Sequence, residues 1–235
     1  MNRRLARVGV LSAGALLVVV VSLRPAYGGW IRAWGDDYGQ RLNVPVGDDF
    51  VEVFDSYWNF VALRADGSLA AWGSQPRIPA GSDFVSVACG RFDCLALRRD
   101  GSIVLGGGWP VPAGNDLVDV ALSDFYYVAL RANGSLEVWG SDIWEVPSGS
   151  DFVDIASGDM HSVALRSDGS LVAWGDNQHG QTEVPPGNDF VALAASSSYS
   201  LALRENGSIV GWGNDSHGRA SPPPGNDCVR IAAGT

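Results

Sequence analysis

Residues 149–185 read GSDFVDIASGDMHSVALRSDGSLVAWGDNQHGQTEVP, and most of the remaining chain consists of further copies of this stretch. Its fixed part is Ala164-Leu165-Arg166, then Asp168-Gly169-Ser170-Leu171, then Trp174-Gly175. The same frame recurs at Ala62-Leu63-Arg64 with Trp72-Gly73, at Ala129-Leu130-Arg131 with Trp139-Gly140, and at Ala202-Leu203-Arg204 with Trp212-Gly213. A worn copy runs from Ala96-Leu97-Arg98 to Leu105-Gly106. The spacing is about 35 residues, a period that marks arrays, solenoids and propellers.

Each unit offers three strands, over 152–156, 162–166 and 170–174 in the quoted copy. Asp-Gly or Asn-Gly separates the second from the third in all five units, at 66–67, 100–101, 133–134, 168–169 and 206–207. An Asx-Gly pair between apolar runs is a strong hairpin signal, because the turn needs positive φ. Strands two and three are apolar at nearly every position, so both faces of the sheet are covered. A three-stranded sheet covered on both faces and repeated along the chain is a propeller blade between neighbouring blades. The copy around Leu105-Gly106-Gly107-Gly108 has lost its Trp, so its blade is expected to be the least regular. The N-terminal stretch 29–35 (GWIRAWG) matches only a third strand, and 228–232 matches only a first. This gives an all-β propeller with five full blades and a sixth, incomplete one built from both ends. Such sharing removes open sheet edges.

The chain has 235 residues, of which 46% are hydrophobic and 18% charged, which suits a domain with a sizeable core. Sixteen Arg, no Lys and 26 acids give a formal charge of −10. A surface this acidic excludes non-specific binding to nucleic acid or anionic membranes. Arg3, Arg4 and Arg7 precede an apolar run from Val8 to Leu23, and Ala26-Tyr27-Gly28 resembles a cleavage site. Residues 1–28 therefore read as a signal peptide and 29–235 as the propeller, exported to the envelope or medium. Membrane contact is expected only if that segment stays attached.

The recurring Asp of Gly-x-Asp (Asp49, Asp83, Asp116, Asp151, Asp189, Asp227) could suggest calcium, but its place before a strand favours a turn in which the carboxylate bonds nearby backbone N–H groups. The three His residues stand at no metal-ligand spacing and read as surface loop residues. No catalytic constellation or cofactor motif is present, so a non-enzyme without cofactor or metal is expected. The loop between strands one and two is the variable place: Ser56-Tyr57-Trp58-Asn59, Gly90-Arg91-Phe92-Asp93, Ser123-Asp124-Phe125-Tyr126, Gly158-Asp159-Met160-His161 and Ser196-Ser197-Ser198-Tyr199. Propeller symmetry puts these loops on one end. Trp58, Phe92, Phe125, Tyr126, Met160 and Tyr199 are the candidate contact residues for a protein partner, or for a glycan using the same aromatics. Cys89 and Cys94 flank one such loop and are expected to face each other across paired strands as a disulfide. Cys228 is expected to be a buried small apolar residue.

The segments WGDNQHGQTEVP (174–185) and FVALAASSSYSLALRENGSIVGWG (190–213) resemble the RCC1 repeat family. The short period and the VP-x-GNDFV linker are closest in pattern to secreted bacterial propellers of the β-lactamase inhibitor protein II type. The resemblance implies a propeller that works by binding, and offers inhibition of an extracellular enzyme as one form of it.

Overall fold

The computed structural model describes residues 18–24, 28–34, 42–56, 59–74, 77–91, 93–107 and 110–233. Two N-terminal strands, β1 (Val18–Arg24) and β2 (Gly28–Trp34), precede five three-stranded units. Unit 1 is β3 (Phe50–Ser56), β4 (Asn59–Arg64) and β5 (Leu69–Gly73); unit 2 is β6 (Phe84–Cys89), β7 (Cys94–Arg98) and β8 (Ile103–Leu105). Unit 3 is β9 (Leu117–Leu122), β10 (Tyr126–Arg131) and β11 (Leu136–Gly140). Unit 4 is β12 (Phe152–Ser157), β13 (His161–Arg166) and β14 (Leu171–Gly175), and unit 5 is β15 (Phe190–Ser196), β16 (Tyr199–Arg204) and β17 (Ile209–Gly213). Every unit is an antiparallel meander with its second strand in the middle. Unit 2, which lost its Trp, has the shortest third strand, β8, with three residues.

The Asx-Gly turn does two jobs. In unit 4 the Asp168 carboxylate accepts from the Ser170 N–H (2.9 Å) and hydroxyl (2.7 Å), which closes the hairpin. Gly169 sits at φ +82°, and a Cβ there would lie 2.1 Å from the Asn188 carbonyl oxygen, so only glycine fits. Its own carbonyl then accepts the Phe190 N–H at 3.2 Å, the first amide of unit 5. The same joint recurs as Phe84 on Gly67, Leu117 on Gly101, Phe152 on Gly134 and Cys228 on Gly207. Each hairpin turn therefore seats the first strand of the next unit.

The Asp of Gly-x-Asp does something other than the expected turn bond. Arg64 pairs with Asp49 at 2.5 Å and Arg166 with Asp151 at 2.5 Å. Arg131 and Arg204 pair likewise with Asp116 and Asp189. The guanidinium groups of Arg64, Arg166 and Arg204 lie 4.3 to 4.5 Å from the ring centres of Phe50, Phe152 and Phe190. The Arg of Ala-Leu-Arg thus reaches back to the start of its own unit, where a carboxylate and a ring hold it. The Asx-Gly acids make the backbone bonds instead, and hydrogen bonds from the serine two residues on hold the Asp66, Asp100 and Asp168 carboxyls below their ordinary range.

The core is a series of clusters between units. Phe54, Leu63, Phe84 and Val87 join units 1 and 2, and Leu95, Leu117, Val120 and Tyr127 join 2 and 3. Tyr126, Val128, Ile155 and Trp174 join units 3 and 4, and Val163, Leu165, Phe190 and Trp212 join 4 and 5. Ile31 of β2, with Leu42 and Val44, packs on Phe50, Val53 and Trp72 of unit 1 in the same way. The first strands β6, β9, β12 and β15 pack on one another in succession, which places them nearest the axis where the units converge.

The chain ends differ from expectation. The leader read at residues 1–28 lies mostly outside the described residues, but its described part, β1, is a strand that pairs with β2 from Val18↔Trp34 to Arg24↔Gly28. Val18–Val21 is β-branched throughout, which favours a strand. The sixth blade shared by both ends is not formed in this structure: β2 takes β1 as partner and touches β3 only at Gly29↔Phe50, and 228–233 belong to no strand. Cys228 does hold a first-strand starting place, its N–H on the Gly207 carbonyl at 3.1 Å, but among the described residues no second strand pairs beside it. Among the described residues no helix is long and apolar enough to cross a membrane.

Cys89 and Cys94 are bridged, as expected, with Cα atoms 4.1 Å apart at a register pair of β6 and β7. Cys228 is a free, half-buried thiol. Thiol titration of the denatured, unreduced protein should find one reactive cysteine, and reduction should destabilise the fold by about 2 kcal/mol, as closing so short a loop predicts. Three reactive thiols would overturn the pairing.

Candidate protein-binding face

The loops between first and second strands all emerge at the end of the array opposite the Asx-Gly turns. In units 3 to 5 one backbone frame fixes them. The Ser141 N–H donates to the Phe125 carbonyl (2.8 Å), Asp176 to Met160 (2.9 Å) and Asn214 to Ser198 (2.9 Å). Gly175 explains the conserved geometry of that exit: at φ +108° it lies so close to Met160 that a Cβ would sit 2.4 Å from the Met160 carbonyl oxygen. The loops are also tied sideways, by the Asp124 N–H on the Asp159 carbonyl (2.9 Å) and the Asp159 N–H on the Ser197 carbonyl (3.0 Å).

This frame sorts the candidate residues. Phe125 and Met160 occupy the third loop position of adjacent units and are 39% and 38% exposed. Trp58 and Phe92 fall at the same position in sequence but lie outside the described residues. Tyr126 and Tyr199 are not tips. They are the first residues of β10 and β16 and are 1% and 5% exposed. The side chain turns inward one residue after the tip, because successive residues of a strand face opposite ways. The Tyr126 hydroxyl meets Ser162 Oγ of the next unit at 3.0 Å, and burial raises its pKa to about 12.

His161 stands in that same inward column and is fully buried, against the expectation of a surface histidine. Its Nε2 lies 2.7 Å from Ser200 Oγ of unit 5. Burial lowers its pKa to about 4, opposed by the Asp176 carboxylate and the Ser197 carbonyl. A serine and a histidine at this distance resemble a nucleophile and its base, but both side chains are at 0% exposure, sealed in a joint no substrate can enter. Beside the tips, Asp124 has its pKa raised by burial and by the Asp159 carboxylate, with the Arg91 backbone N–H and guanidinium opposing. Among the described residues no three His, Cys, Asp or Glu side chains gather to hold a metal ion.

Residues 152–181 and 190–219, which span units 4 and 5, match the family described as regulator of chromosome condensation (RCC1) repeat. The chain is an RCC1-like repeat β-propeller. Among solved structures it is similar to the ectodomain of the Physcomitrella patens receptor kinase CR4 (TM-score 0.74, 20% identity), covering 92% of this chain and 64% of that one. The chain thus spans just under two thirds of that ectodomain. It is similar too to the ectodomain of the Arabidopsis thaliana receptor kinase ACR4 (TM-score 0.74, 17% identity, 93% of this chain and 84% of that one). Prp20p from Saccharomyces cerevisiae, described with its binding to Gsp1p and histones, also superposes (TM-score 0.68, 16% identity, 84% of this chain and 70% of that one). No curated protein matches in sequence. What sets this RCC1-like propeller apart lies in its loops, where repeat geometry is kept and residue type changes from unit to unit.

Proposed function

We propose that this RCC1-like propeller is an exported interaction module that binds another protein through the loop tips of one end. The observation that carries the reading is the common frame that holds Phe125 and Met160 at the same loop position of adjacent units, each more than a third exposed although large and apolar. Sequence register adds Trp58 and Phe92 to the same tip column, with Asp124 and Asp159 on its border. The similar receptor kinase structures are ectodomains, and Prp20p binds proteins, which supports an interaction role. The Cys89–Cys94 bridge suits an oxidising compartment.

The test is capture of partners from culture medium or envelope extract on the immobilised propeller, followed by mass spectrometry and affinity measurement on the partner found. Phe125→Ala combined with Met160→Ala should weaken that complex by about 2 kcal/mol or more, roughly thirtyfold, while the melting temperature stays within a few degrees. An enzyme among the partners, inhibited on binding, would make the propeller an inhibitor. Partner binding unchanged in the double variant, or recovery of glycans alone, would sink the reading.

A further inference from the structure

The opposite end of the propeller carries an apolar feature of its own. Each first strand shifts register at its second residue: between Phe50 and Glu52, Phe84 and Ser86, Phe152 and Asp154, and Phe190 and Ala192. In unit 3, Leu117 and Asp119 oppose the consecutive residues Arg131 and Leu130 in the same way. Such a bulge re-aims the side chain at that point. The flanking residues stay in the core, with Phe152 at 2% and Ile155 at 0% exposure. The bulge residue is valine in every unit; Val51 and Val85 stay partly buried against the clusters between units 1, 2 and 3, whereas in units 3 to 5 it turns out. Val118, Val153 and Val191 are 40%, 53% and 47% exposed, and Val229, at the same place after Cys228, is 78% exposed. These four valines follow one another from unit 3 past unit 5, each next to a residue seated on an Asx-Gly turn and so at the turn end.

The turns beside these valines carry Asp100 and Asp168, with Asn133 and Asn206 at the other two and Arg99 exposed next to Asp100, so acids mark two of the four turns. Each valine follows the residue seated on the preceding Asx-Gly turn, so Asp100-Gly101 adjoins Val118 and Asp168-Gly169 adjoins Val191. Asp66 and Glu205 are exposed at the equivalent turns of units 1 and 5. Their Ser102 and Ser170 hydrogen bonds keep Asp100 and Asp168 ionised well below neutral pH. An apolar row with a charged, solvated border has the layout of a protein-docking patch. The acids at those two turns favour a basic partner, since like charge is repelled.

We infer that the turn end of the propeller is a second docking surface, distinct from the loop tips, for a protein segment that projects aliphatic side chains flanked by Lys or Arg. The aliphatic tip lies on the row of exposed valines and the cations meet the Asx-Gly acids. Aromatic or acidic tips fit it less well than the loop end.

The test uses a fluorescent cyclic peptide with a Leu-Ile tip flanked by Arg, and two controls, one with a Ser-Ser tip and one with Glu flanks. Anisotropy titration should show the Leu-Ile/Arg peptide binding the full protein at least tenfold tighter than either control, with affinity falling as salt rises. A Val118→Ser, Val153→Ser, Val191→Ser triple variant should lose at least tenfold. Asp100→Asn with Asp168→Asn should weaken binding and flatten its salt dependence; Asn already serves this turn position at Asn133 and Asn206, so the hairpins remain. Phe125→Ser with Met160→Ser should bind the peptide as the parent does. If the triple variant does not fold, Val153→Ser alone carries the test. No saturable binding, binding unaffected by the valine substitutions, or binding lost only with the Phe125 and Met160 substitutions would each overturn the inference.

Discussion

Lowering the pH from 7 to 4 will destabilise the protein by about 3 kcal/mol through one residue, His161. In the unfolded chain this imidazole takes up a proton near its ordinary pKa of 6.5, whereas in the folded protein burial delays protonation to about 4. Between those values the unfolded state binds the proton and the folded state does not, so acid favours unfolding. The stabilising contribution is fully present above pH 6.5, declines through the interval and is gone below about 4. An interval of this width, at about 1.4 kcal/mol per pH unit, gives the stated magnitude. It is a large share of the roughly 5–15 kcal/mol that holds a domain together. Urea unfolding of the parent and of His161→Gln at pH 7, 6, 5 and 4 will show it: the difference between the two should narrow steadily as the pH falls. Parallel curves would mean that His161 is free to protonate in the fold.

Tyr126→Ala will cost about 3–5 kcal/mol of stability, while Phe125→Ala, the neighbouring residue on the same loop, stays within about 0.5 kcal/mol. Tyr126 is 1% exposed and fills the joint between units 3 and 4 with Val128, Phe152, Ile155 and Trp174, so truncation leaves a cavity there. Tyr126→Phe keeps the ring and loses the hydroxyl contacts to Ser162 and Ser123. Ser162 retains Ser157 Oγ at 2.8 Å, so that change should cost only about 1 kcal/mol. Chemical denaturation of the three variants measures all of this. Equal losses for Phe125→Ala and Tyr126→Ala would contradict the division between tip and strand.

These two results also mark where the sequence is readable. The hairpins are legible because an Asx-Gly turn is a local object: Asp168, Gly169 and Ser170 fix it without help from elsewhere. The Cys89–Cys94 bridge is legible for the same reason, since its loop is four residues long. His161 is not, because its partner Ser200 lies 39 residues away in the next unit. Tyr126 and Tyr199 read as tips from sequence because aromatic composition carries no information about which way a residue faces, and a displacement of one position along a strand reverses it. The Asp column misled in the opposite direction. A carboxylate before a strand suits a backbone turn, yet Asp151 goes to Arg166, fifteen residues on, which only the closed meander brings near. The exposed valines are not legible in the sequence, because Phe152-Val153 reads as two core residues until the bulge separates them.

The joint between units, a turn carbonyl receiving the first amide of the next strand, is chemically the same wherever it occurs. It uses backbone atoms and a glycine at the turn end, while the residue that points out at a loop tip, such as Met160, takes no part in it. Residues peculiar to one unit, such as the Cys89–Cys94 bridge or Met160, can therefore change without renegotiating the architecture. If the loop tips bind a partner as proposed, a change in one loop alters the contact surface one blade at a time, and the repeat supplies an unchanged platform under each change.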